Sequence, residues 1–483
     1  MSTTAAPPAP TAAPEAMAPP EPAPEPAGLY EPGPLRADVV VVGGGMTGTV
    51  TALLLAEGGA DVVVLDARPA RTTATARSTG KLTVLQGTRL ARVARHGDEV
   101  LASYVAAGFA GIGWLRRALG DLGVVVENRD DLTVAGTPEQ VEPVDAVLQA
   151  CARIGLAAEW EDDPPVPSPA FGAVRLPGQA QVDPMAALTA LRRLLRTRGV
   201  PVHDGVRVRE VRRTPSGVAL RTSRGTVRAG HVVLATGVPP GVYGGLVLRL
   251  EAHRSYLTSW ELAPGAALPD GFAMTMSITA GEPVRSLRTA GDLLVVGGEG
   301  HVVGREPDPR ARLDTLDAWT RRHFPVATRR HAWAAQDYAT DTGLPFIGAA
   351  LPGDDRVLVA TGYAKWGLVT AAAAGITLSG RLLGVPVDWE PVLEPWARLP
   401  RPRQASARTL SRQVAGWAQA ASRPTGRAPV EGAARVSRVC PHFGGVVAWN
   451  ELEKSWDCPV HGSRFGPDGV LCEGPATKDL SPA

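Results

Sequence analysis

The first long apolar stretch of the chain is followed by a helical pattern and then by a second apolar stretch. Val39 to Val42 is an unbroken apolar run, which is typical of a strand buried on both faces of a parallel sheet. Met46 to Glu57 reads as a helix, and Gly58 and Gly59 end it. Val62 to Leu65 predicts the next strand. These segments predict a β-α-β unit that begins an α/β sheet.

Later patterns predict that the chain leaves this sheet twice and returns to it. Two excursions, at about residues 85–180 and 251–330, carry short strands and alternating segments typical of an antiparallel sheet. Between them, Asp183 is a favourable N-cap of a helix, and His231 to Thr236 reads as a buried strand. Residues 37–385 are therefore predicted to form a Rossmann-like domain interleaved with an α+β domain. An active site is expected where the two meet.

The remaining segments differ in composition. Residues 1–36 are dominated by Ala, Pro and Glu, which predicts a disordered tail, and a tail without a binding role is favoured. Residues 386–432 are expected to be a connector that contains one helix, Gln404 to Ala420. The last part, residues 433–483, is treated below with its cysteines and histidines.

Bulk properties narrow the function classes. A net charge of +2 among 483 residues gives no sign of a nucleic-acid partner. There is neither a secretory leader pattern nor a run of 18 apolar residues, so no membrane span is expected. Four scattered cysteines do not suggest a disulfide framework and fit a reducing, cytoplasmic location.

A glycine-rich turn connects the first predicted strand and helix. Gly43, Gly45 and Gly48 have the G-x-G-x-x-G spacing, which permits a tight turn, a close approach to a pyrophosphate and close helix–strand packing. Asp66, at the tip of the second strand, is placed to accept hydrogen bonds from a ribose. The unit predicts dinucleotide binding. Asp66 argues against a 2′-phosphate, although Arg68 keeps NADP open.

Two further features go beyond a simple NAD-binding unit. A late strand ends in Thr236-Gly237, and the loop Gly362 to Gly367 precedes a helix of small residues. With the glycine-rich turn, they resemble the glycine/D-amino acid oxidase-like (DAO) family of FAD-dependent oxidoreductases. The resemblance implies FAD and a set of cofactor-binding residues: Gly43, Gly45, Met46, Thr47, Gly48, Asp66, Ser78, Thr79, Lys81, Val208, Thr236, Gly237, Gly362, Trp366 and Gly367.

Lysine is scarce in this chain, since only Lys81, Lys365, Lys454 and Lys478 occur among 50 basic residues. Lys81 and Lys365 fall in the two loops expected at the flavin, where a cation stabilises the charge of the reduced ring. We predict both as catalytic residues, with a plain surface role as the alternative.

Substrate-binding residues are less distinct. Arg254, Tyr256, Arg288 and His301 lie on the second excursion and carry groups that bind carboxylates. For each of them alone, the sequence favours a structural role over a catalytic one.

A second centre is indicated near the C-terminus. Cys440 and His442 form C-x-H, and Cys458 and His461 form C-x-x-H. Two cysteines and two histidines suit either zinc or a Rieske [2Fe–2S] cluster. CPVHGSRF followed by DGVLCEGPA resembles the Rieske domain, which implies a small all-β domain over residues 433–483 with these four side chains as metal ligands. Cys472 is expected to be a small buried apolar residue instead.

The combined resemblance implies a flavin enzyme that oxidises a small amine, amino acid or hydroxy acid. Electrons would leave singly through the cluster to an external one-electron carrier. Two alternatives stay open: a reductase or oxygenase component in which electrons run from a carrier into FAD, and a non-catalytic redox sensor or electron-transfer module.

Overall fold

The computed structural model describes residues 36–167, 169–397, 403–423 and 431–482. The predicted tail lies outside these residues except for Arg36. The described helices are α1 (Met46–Glu57), α2 (Arg89–Val93), α3 (Asp98–Asp121), α4 (Val141–Arg153), α5 (Pro184–Thr197), α6 (Pro309–His323), α7 (Gly367–Leu382), α8 (Glu390–Leu393) and α9 (Arg403–Ala421). By length and apolarity, none of these described helices is able to cross a membrane.

The described strands are β1 (Arg36–Val42), β2 (Val62–Asp66), β3 (Lys81–Leu82), β4 (Val126–Val134), β5 (Glu159–Glu161), β6 (Ala173–Val182), β7 (Val202–Asp204), β8 (Val208–Thr214), β9 (Gly217–Thr222), β10 (Gly225–Gly237), β11 (Leu250–Leu262), β12 (Thr275–Thr279), β13 (Arg285–Ala290), β14 (Leu293–Val302), β15 (Val326–Thr340), β16 (Phe346–Ala349), β17 (Val357–Thr361), β18 (Ala448–Asn450), β19 (Ser455–Asp457), β20 (Arg464–Phe465) and β21 (Leu471–Glu473).

The first sheet follows the order β16-β17-β10-β1-β2-β7, with β9 paired to β10 and β8 to β9. Strands β17, β10, β1, β2 and β7 run parallel. Their carboxyl ends therefore lie at one edge, where the glycine-rich turn after β1 and the tip of β2 are found. In an open α/β sheet this edge is the usual ligand-binding edge.

Helices of small residues cover this sheet closely. A Cβ on Gly375 of α7 would lie 2.5 Å from Cγ1 of Val50 in α1, so only glycine permits this approach. Gly111 of α3 lies equally close to α7, since a Cβ there would be 2.6 Å from the carbonyl oxygen of Val369. The predicted N-cap is confirmed, because Asp183 accepts hydrogen bonds from the N–H groups of Met185 and Ala186.

The second sheet has the order β15-β11-β14-β13-β12-β4-β6-β3, with β5 paired to β6, and both excursions contribute to it. Two of its strands extend beyond the residue bounds predicted for the two excursions. Strand β15 belongs to this sheet and continues to Thr340, beyond the predicted end at residue 330, because it pairs along the whole of β11. Strand β3 joins it from Lys81, before the predicted start at residue 85.

The described C-terminal segment, residues 431–482, forms a separate small sheet in the order β18-β19-β20-β21. We call this segment the C-terminal lobe. Its strands are two or three residues long, and its core contains Trp456, Phe465 and Leu471. Such a small core needs support from elsewhere, which the neighbouring sheet and α9 supply.

Candidate active site and metal centre

A cavity of about 300 Å³ lies between the carboxyl edge of the first sheet and the face of the second. The structure brings nearly all of the predicted cofactor and catalytic residues to its wall: Gly43, Gly45, Met46, Thr47, Asp66, Ser78, Thr79, Lys81, Val208, Thr236, Gly237, Gly362, Lys365, Trp366 and Gly367. Gly48 lies behind this wall. A Cβ there would be 1.8 Å from the carbonyl oxygen of Gly43, so Gly48 lets α1 pack against the turn.

The carboxylate of Asp66 is held at the end of the glycine-rich turn. Its oxygens accept hydrogen bonds from the N–H of Gly44 at 2.9 Å and from the N–H of Arg68 at 3.2 Å. Burial raises the pKa of Asp66, and the nearby guanidinium groups of Arg68 and Arg192 oppose this change. The carboxylate oxygens retain acceptor capacity toward the cavity, which suits the hydroxyl groups of a ribose.

Arg192 supports this turn and was not expected from the sequence. It is fully buried, donates to the carbonyl of Gly44 at 3.1 Å and forms an ion pair with Asp204 at 2.7 Å. A single arginine in an amphipathic helix gives no signal of this role, because its partners come from two other elements.

Lys81 lies deep in the cavity wall. Its ammonium donates to the carbonyl of Ser277 at 2.6 Å and to the hydroxyl of Ser286 at 2.8 Å. Burial lowers the pKa of Lys81 to about 8, while the nearby Asp131 opposes this change. Lys81 is therefore a buried cation in neutral solution and not the surface lysine of the alternative interpretation.

Lys365 lies in the loop before α7 and has a φ of 76°, a left-handed conformation that is unusual for a lysine. Its side chain lines the cavity beside Asp337; burial raises the pKa of this carboxyl, and Lys365 opposes the change. The hydroxyl of Tyr363 in the same loop lies 3.0 Å from Oγ1 of Thr47, so this loop is tied to α1.

The candidate carboxylate-binding residues have other partners. Arg254 is fully buried and forms a bidentate ion pair with Glu453 of the C-terminal lobe. Arg288 donates to the backbone carbonyls of Val182 and Thr289. Both guanidinium groups serve structural roles, in agreement with the reading that the sequence favoured.

Tyr256 differs from the two arginines, because it lines the cavity. Its hydroxyl lies 2.9 Å from Nε2 of His301. Burial lowers the pKa of His301, so the imidazole is neutral at neutral pH and its Nε2 can accept a hydrogen bond from the Tyr256 hydroxyl. Tyr256 therefore brings a polar hydroxyl to the cavity that Lys81 and Lys365 also line.

Two similar loops in the C-terminal lobe carry the four predicted metal ligands. In one loop, the N–H of Cys440 donates to the carbonyl of Gly445 at 2.9 Å. In the other, the N–H of Cys458 donates to the carbonyl of Ser463 at 2.8 Å. The neighbouring thiol of Cys440 lowers the pKa of Cys458.

The two imidazoles form a second pair, since the ring centroids of His442 and His461 are 5.0 Å apart. His461 is buried, and both of its ring nitrogens lack a hydrogen-bond partner among the described residues. Burial lowers the pKa of His461 to about 3, so the ring is neutral, as a metal ligand must be. Nε2 of His442 lies 3.0 Å from the carbonyl oxygen of Gly241.

This donor set fits a two-iron cluster better than zinc. Within the described ranges, no three His, Cys, Asp or Glu side chains are close enough to hold one metal ion. The ligands instead form one thiol pair and one imidazole pair. In a Rieske [2Fe–2S] cluster, thiolates bind one iron and imidazoles the other, which matches two separate pairs.

Comparison with known proteins decides the family. The family model described as DAO, FAD dependent oxidoreductase, matches residues 38–381 of this chain. The chain belongs to the DAO family. This oxidoreductase is similar to the solved structure of glycine oxidase from Geobacillus kaustophilus, with a TM-score of 0.61 and 18% identity over 73% of this chain and 96% of that one. The FAD prediction and the α/β fold are thereby confirmed.

Two curated relatives extend the likeness to the C-terminal lobe. This oxidoreductase is 26% identical to a protein of Bacillus subtilis strain 168 with the name "Putative Rieske 2Fe-2S iron-sulfur protein YhfW", over 92% of this chain and 93% of the relative. A segment of 46 residues is 44% identical to cytochrome b6-f complex iron-sulfur subunit 1 of Nostoc sp. PCC 7120, covering 10% of this chain and 26% of that subunit. Both likenesses agree with the predicted [2Fe–2S] cofactor.

The position of the C-terminal lobe could not be predicted from the sequence. Cys472, Glu473, Gly474 and Ala476 line the same cavity as the glycine-rich turn. Cys472 was expected to be a buried apolar residue, but it is partly exposed in this wall. Its neighbours in space come from segments far away in the chain, so no local pattern signals the contact.

Proposed function

We propose that this chain is an FAD-dependent dehydrogenase that carries its own iron–sulfur cluster for electron transfer. It oxidises a small amine, amino acid or hydroxy acid and passes the electrons singly through a Rieske [2Fe–2S] cluster to an external one-electron carrier. The observation that carries the proposal is the shared wall: residues 472–474 and 476 of the C-terminal lobe line the cavity that also contains the glycine-rich turn. A cytoplasmic location stays a prediction.

The proposed roles of the cavity residues follow from their positions. The N–H groups of the turn at Gly43 to Gly45 would hold the pyrophosphate, and Asp66 the ribose. Lys81 and Lys365 would place positive charge near the flavin ring. FAD supplies the hydride acceptor and converts a two-electron oxidation into one-electron steps.

The substrate would bind at the Tyr256 end of the cavity. The Tyr256–His301 pair gives a neutral donor and acceptor there, and Ile278 and Trp366 supply apolar wall. Such a mixture suits a small molecule with a polar group beside the carbon that is oxidised. Arg254 and Arg288 have no part in this binding.

The four ligands would be Cys440, His442, Cys458 and His461. Phe443 packs on both imidazoles, with centroid distances of 4.6 Å to His442 and 5.2 Å to His461, and it is 39% exposed. The imidazole side of the centre therefore lies next to the protein surface. An external carrier would exchange electrons there.

The test is anaerobic mixing of the purified holoenzyme with a panel of amines, amino acids and hydroxy acids. We expect at least one compound to bleach the flavin absorption and to produce the EPR signal of a reduced Rieske cluster without added reductant. If no compound does so while a reduced ferredoxin bleaches the flavin, electrons flow in the opposite direction and the proposal is wrong.

A further inference from the structure

The C-terminal lobe meets the second sheet through closely packed backbone. A Cβ on Gly304 would lie 2.7 Å from the backbone nitrogen of Pro459, and a Cβ on Gly462 would lie 2.2 Å from Cβ of Ala252. Both glycines flank or face the loop that carries Cys458 and His461. The loop of residues 458–462, called the ligand loop here, therefore packs directly on the second sheet and the turn at Gly304, and no side chain fits between them at these two points.

One side chain of the second sheet forms a hydrogen bond with the ligand loop. Gln336 of β15 is 3% exposed, and its Nε2 donates to the carbonyl of Gly462 at 2.8 Å and to the hydroxyl of Tyr338 at 2.9 Å. Gly462 follows His461 immediately in the chain. Gln336 also lines the FAD cavity, so a single residue contacts both sites.

A second connection reaches the adjacent residue of the loop. Ala476 lines the cavity, and its N–H donates to Oγ of Ser463 at 3.1 Å. Ser463 follows Gly462 in the chain and lies two residues after His461. The side of the ligand loops that faces the cavity thus has fixed hydrogen bonds at both Gly462 and Ser463.

We propose that Gln336 is a positioning residue for the metal centre. From the wall of the FAD cavity it fixes the Cys458–His461 loop, so the two cofactor sites are coupled through one amide side chain. This inference rests on the proposed function, because it takes Cys458 and His461 as cluster ligands. Outer contacts of this kind orient metal ligands and tune the metal, and their loss costs about 10- to 100-fold in affinity or activity.

Loss of the amide has a defined physical effect. In Gln336→Leu, the buried carbonyl of Gly462 loses its donor, and the loop can relax away from the cavity wall. The positive end of the N–H dipole is also removed from the neighbourhood of a centre that gains negative charge on reduction. The reduced form of the cluster is therefore destabilised.

Gln413→Leu is the matched control. Gln413 of α9 is 5% exposed, and its Nε2 donates to the carbonyls of Val247 at 3.2 Å and Leu250 at 3.3 Å. This variant also removes two hydrogen bonds of a buried glutamine, but neither partner belongs to a ligand loop. Gln413→Leu therefore shows how much of the effect of Gln336→Leu comes only from the loss of a buried glutamine.

The experiment compares the two holoenzyme variants with the wild type by EPR of the reduced cluster and by redox titration. We expect Gln336→Leu to change the EPR g values and to lower the ratio of reduced to oxidised cluster at fixed potential about tenfold. Tenfold corresponds to a midpoint shift of about 59 mV for one electron. Gln413→Leu should match the wild type in both measurements.

Identical EPR spectra and midpoints for all three proteins would overturn the inference. If Gln336→Leu does not fold, the test uses Tyr338→Phe instead, because this variant removes one hydrogen-bond partner of Gln336. It should change the g values in the same direction as Gln336→Leu, but by a smaller amount. Unchanged g values in that variant count against the inference. A wild type without flavin or iron would instead refute the proposed function, so the two failures are distinguishable.

Discussion

Lys81, which lines the cavity, and the nearby Asp131 form a buried pair of titratable groups. Burial lowers the pKa of Lys81 to about 8 and raises the pKa of Asp131 to about 6. The hydroxyl of Thr83 donates to Asp131 at 2.8 Å and holds the carboxylate in place. Near neutral pH both groups are charged, and Lys81 loses its charge as the pH rises through about 8.

This titration predicts a pH-dependent rate. Because a charged Lys81 favours negative charge on the flavin, the rate of flavin reduction by substrate should fall as the pH rises through about 8. Lys81→Met should be slower at neutral pH and should lack this step. Anaerobic stopped-flow absorbance over a pH series measures both. Lys454→Met, which alters an exposed lysine of the C-terminal lobe, should keep the wild-type profile.

The cysteines of the C-terminal lobe allow a direct test of the ligand assignment. Cys458→Ser removes a proposed thiolate ligand, so iron content and the visible absorption of the cluster should be lost while flavin is retained. Cys472→Ser changes a cysteine that lines the cavity and is not a proposed ligand, and it should retain full iron. Iron and flavin analysis of both variants gives the answer; retention of iron in Cys458→Ser would contradict the assignment.

At the residue scale, the sequence predicted what depends on local spacing. The glycine-rich turn and the two Cys/His pairs are each complete within a short segment, so their residues were found together as expected. Arg254 had no such signal. Its partner Glu453 is distant in the chain, and only the fold shows that this arginine is paired instead of facing a substrate.

At the level of elements, patterns in the sequence located helices closely. Helix α1 has the predicted bounds Met46–Glu57, and α9 spans Arg403–Ala421 where residues 404–420 were expected. The second excursion was expected to end at about residue 330, but β15 continues to Thr340 and pairs with β11 along its whole length. Periodicity therefore identified elements but could not show which strands pair.

The contact between α1 and α7 makes a stability prediction. In Gly375→Ala, the new Cβ would meet Val50 at 2.5 Å, and overpacking of this kind costs about 1–3 kcal/mol. Gly120→Ala places the same methyl group at an exposed position of α3, where nothing lies within 4 Å. This variant should stabilise the folded protein by about 0.5–1 kcal/mol. Thermal unfolding of both variants gives the comparison. Equal changes in Tm would mean that the helices do not pack this closely.

At the scale of the whole molecule, a buried ionic contact fixes the C-terminal lobe to the second sheet. Burial alone would raise the pKa of Glu453, but Arg254 and Arg464 outweigh this and lower the pKa to about 2. The stability that the pair contributes is present above the ordinary value of 4.5 and is lost as the pH falls through about 2.

Glu453→Gln should therefore be strongly destabilising, since it leaves the buried Arg254 without its counter-charge. Loss of one partner of a buried pair costs about 3–5 kcal/mol. Glu451→Gln breaks an exposed pair with Lys454 and should stay within about 1 kcal/mol of wild type. Denaturant unfolding measures the free energy of unfolding of both variants, first at neutral pH and then over a series of lower pH values. The loss of stability in Glu453→Gln should become smaller toward pH 2. A deficit independent of pH would exclude an ionic origin.

The wall that the C-terminal lobe contributes to the cavity also has a consequence for how the protein acquires its cofactors. Residues 472–474 and 476 form part of the wall of the cavity that would hold the dinucleotide, and a buried ion pair holds the lobe in this position. If the docked lobe limits entry to this space, we expect flavin to be inserted before the lobe docks, and the iron–sulfur cluster could be assembled afterwards. Newly made apoprotein would mature in two stages, with the organic cofactor first.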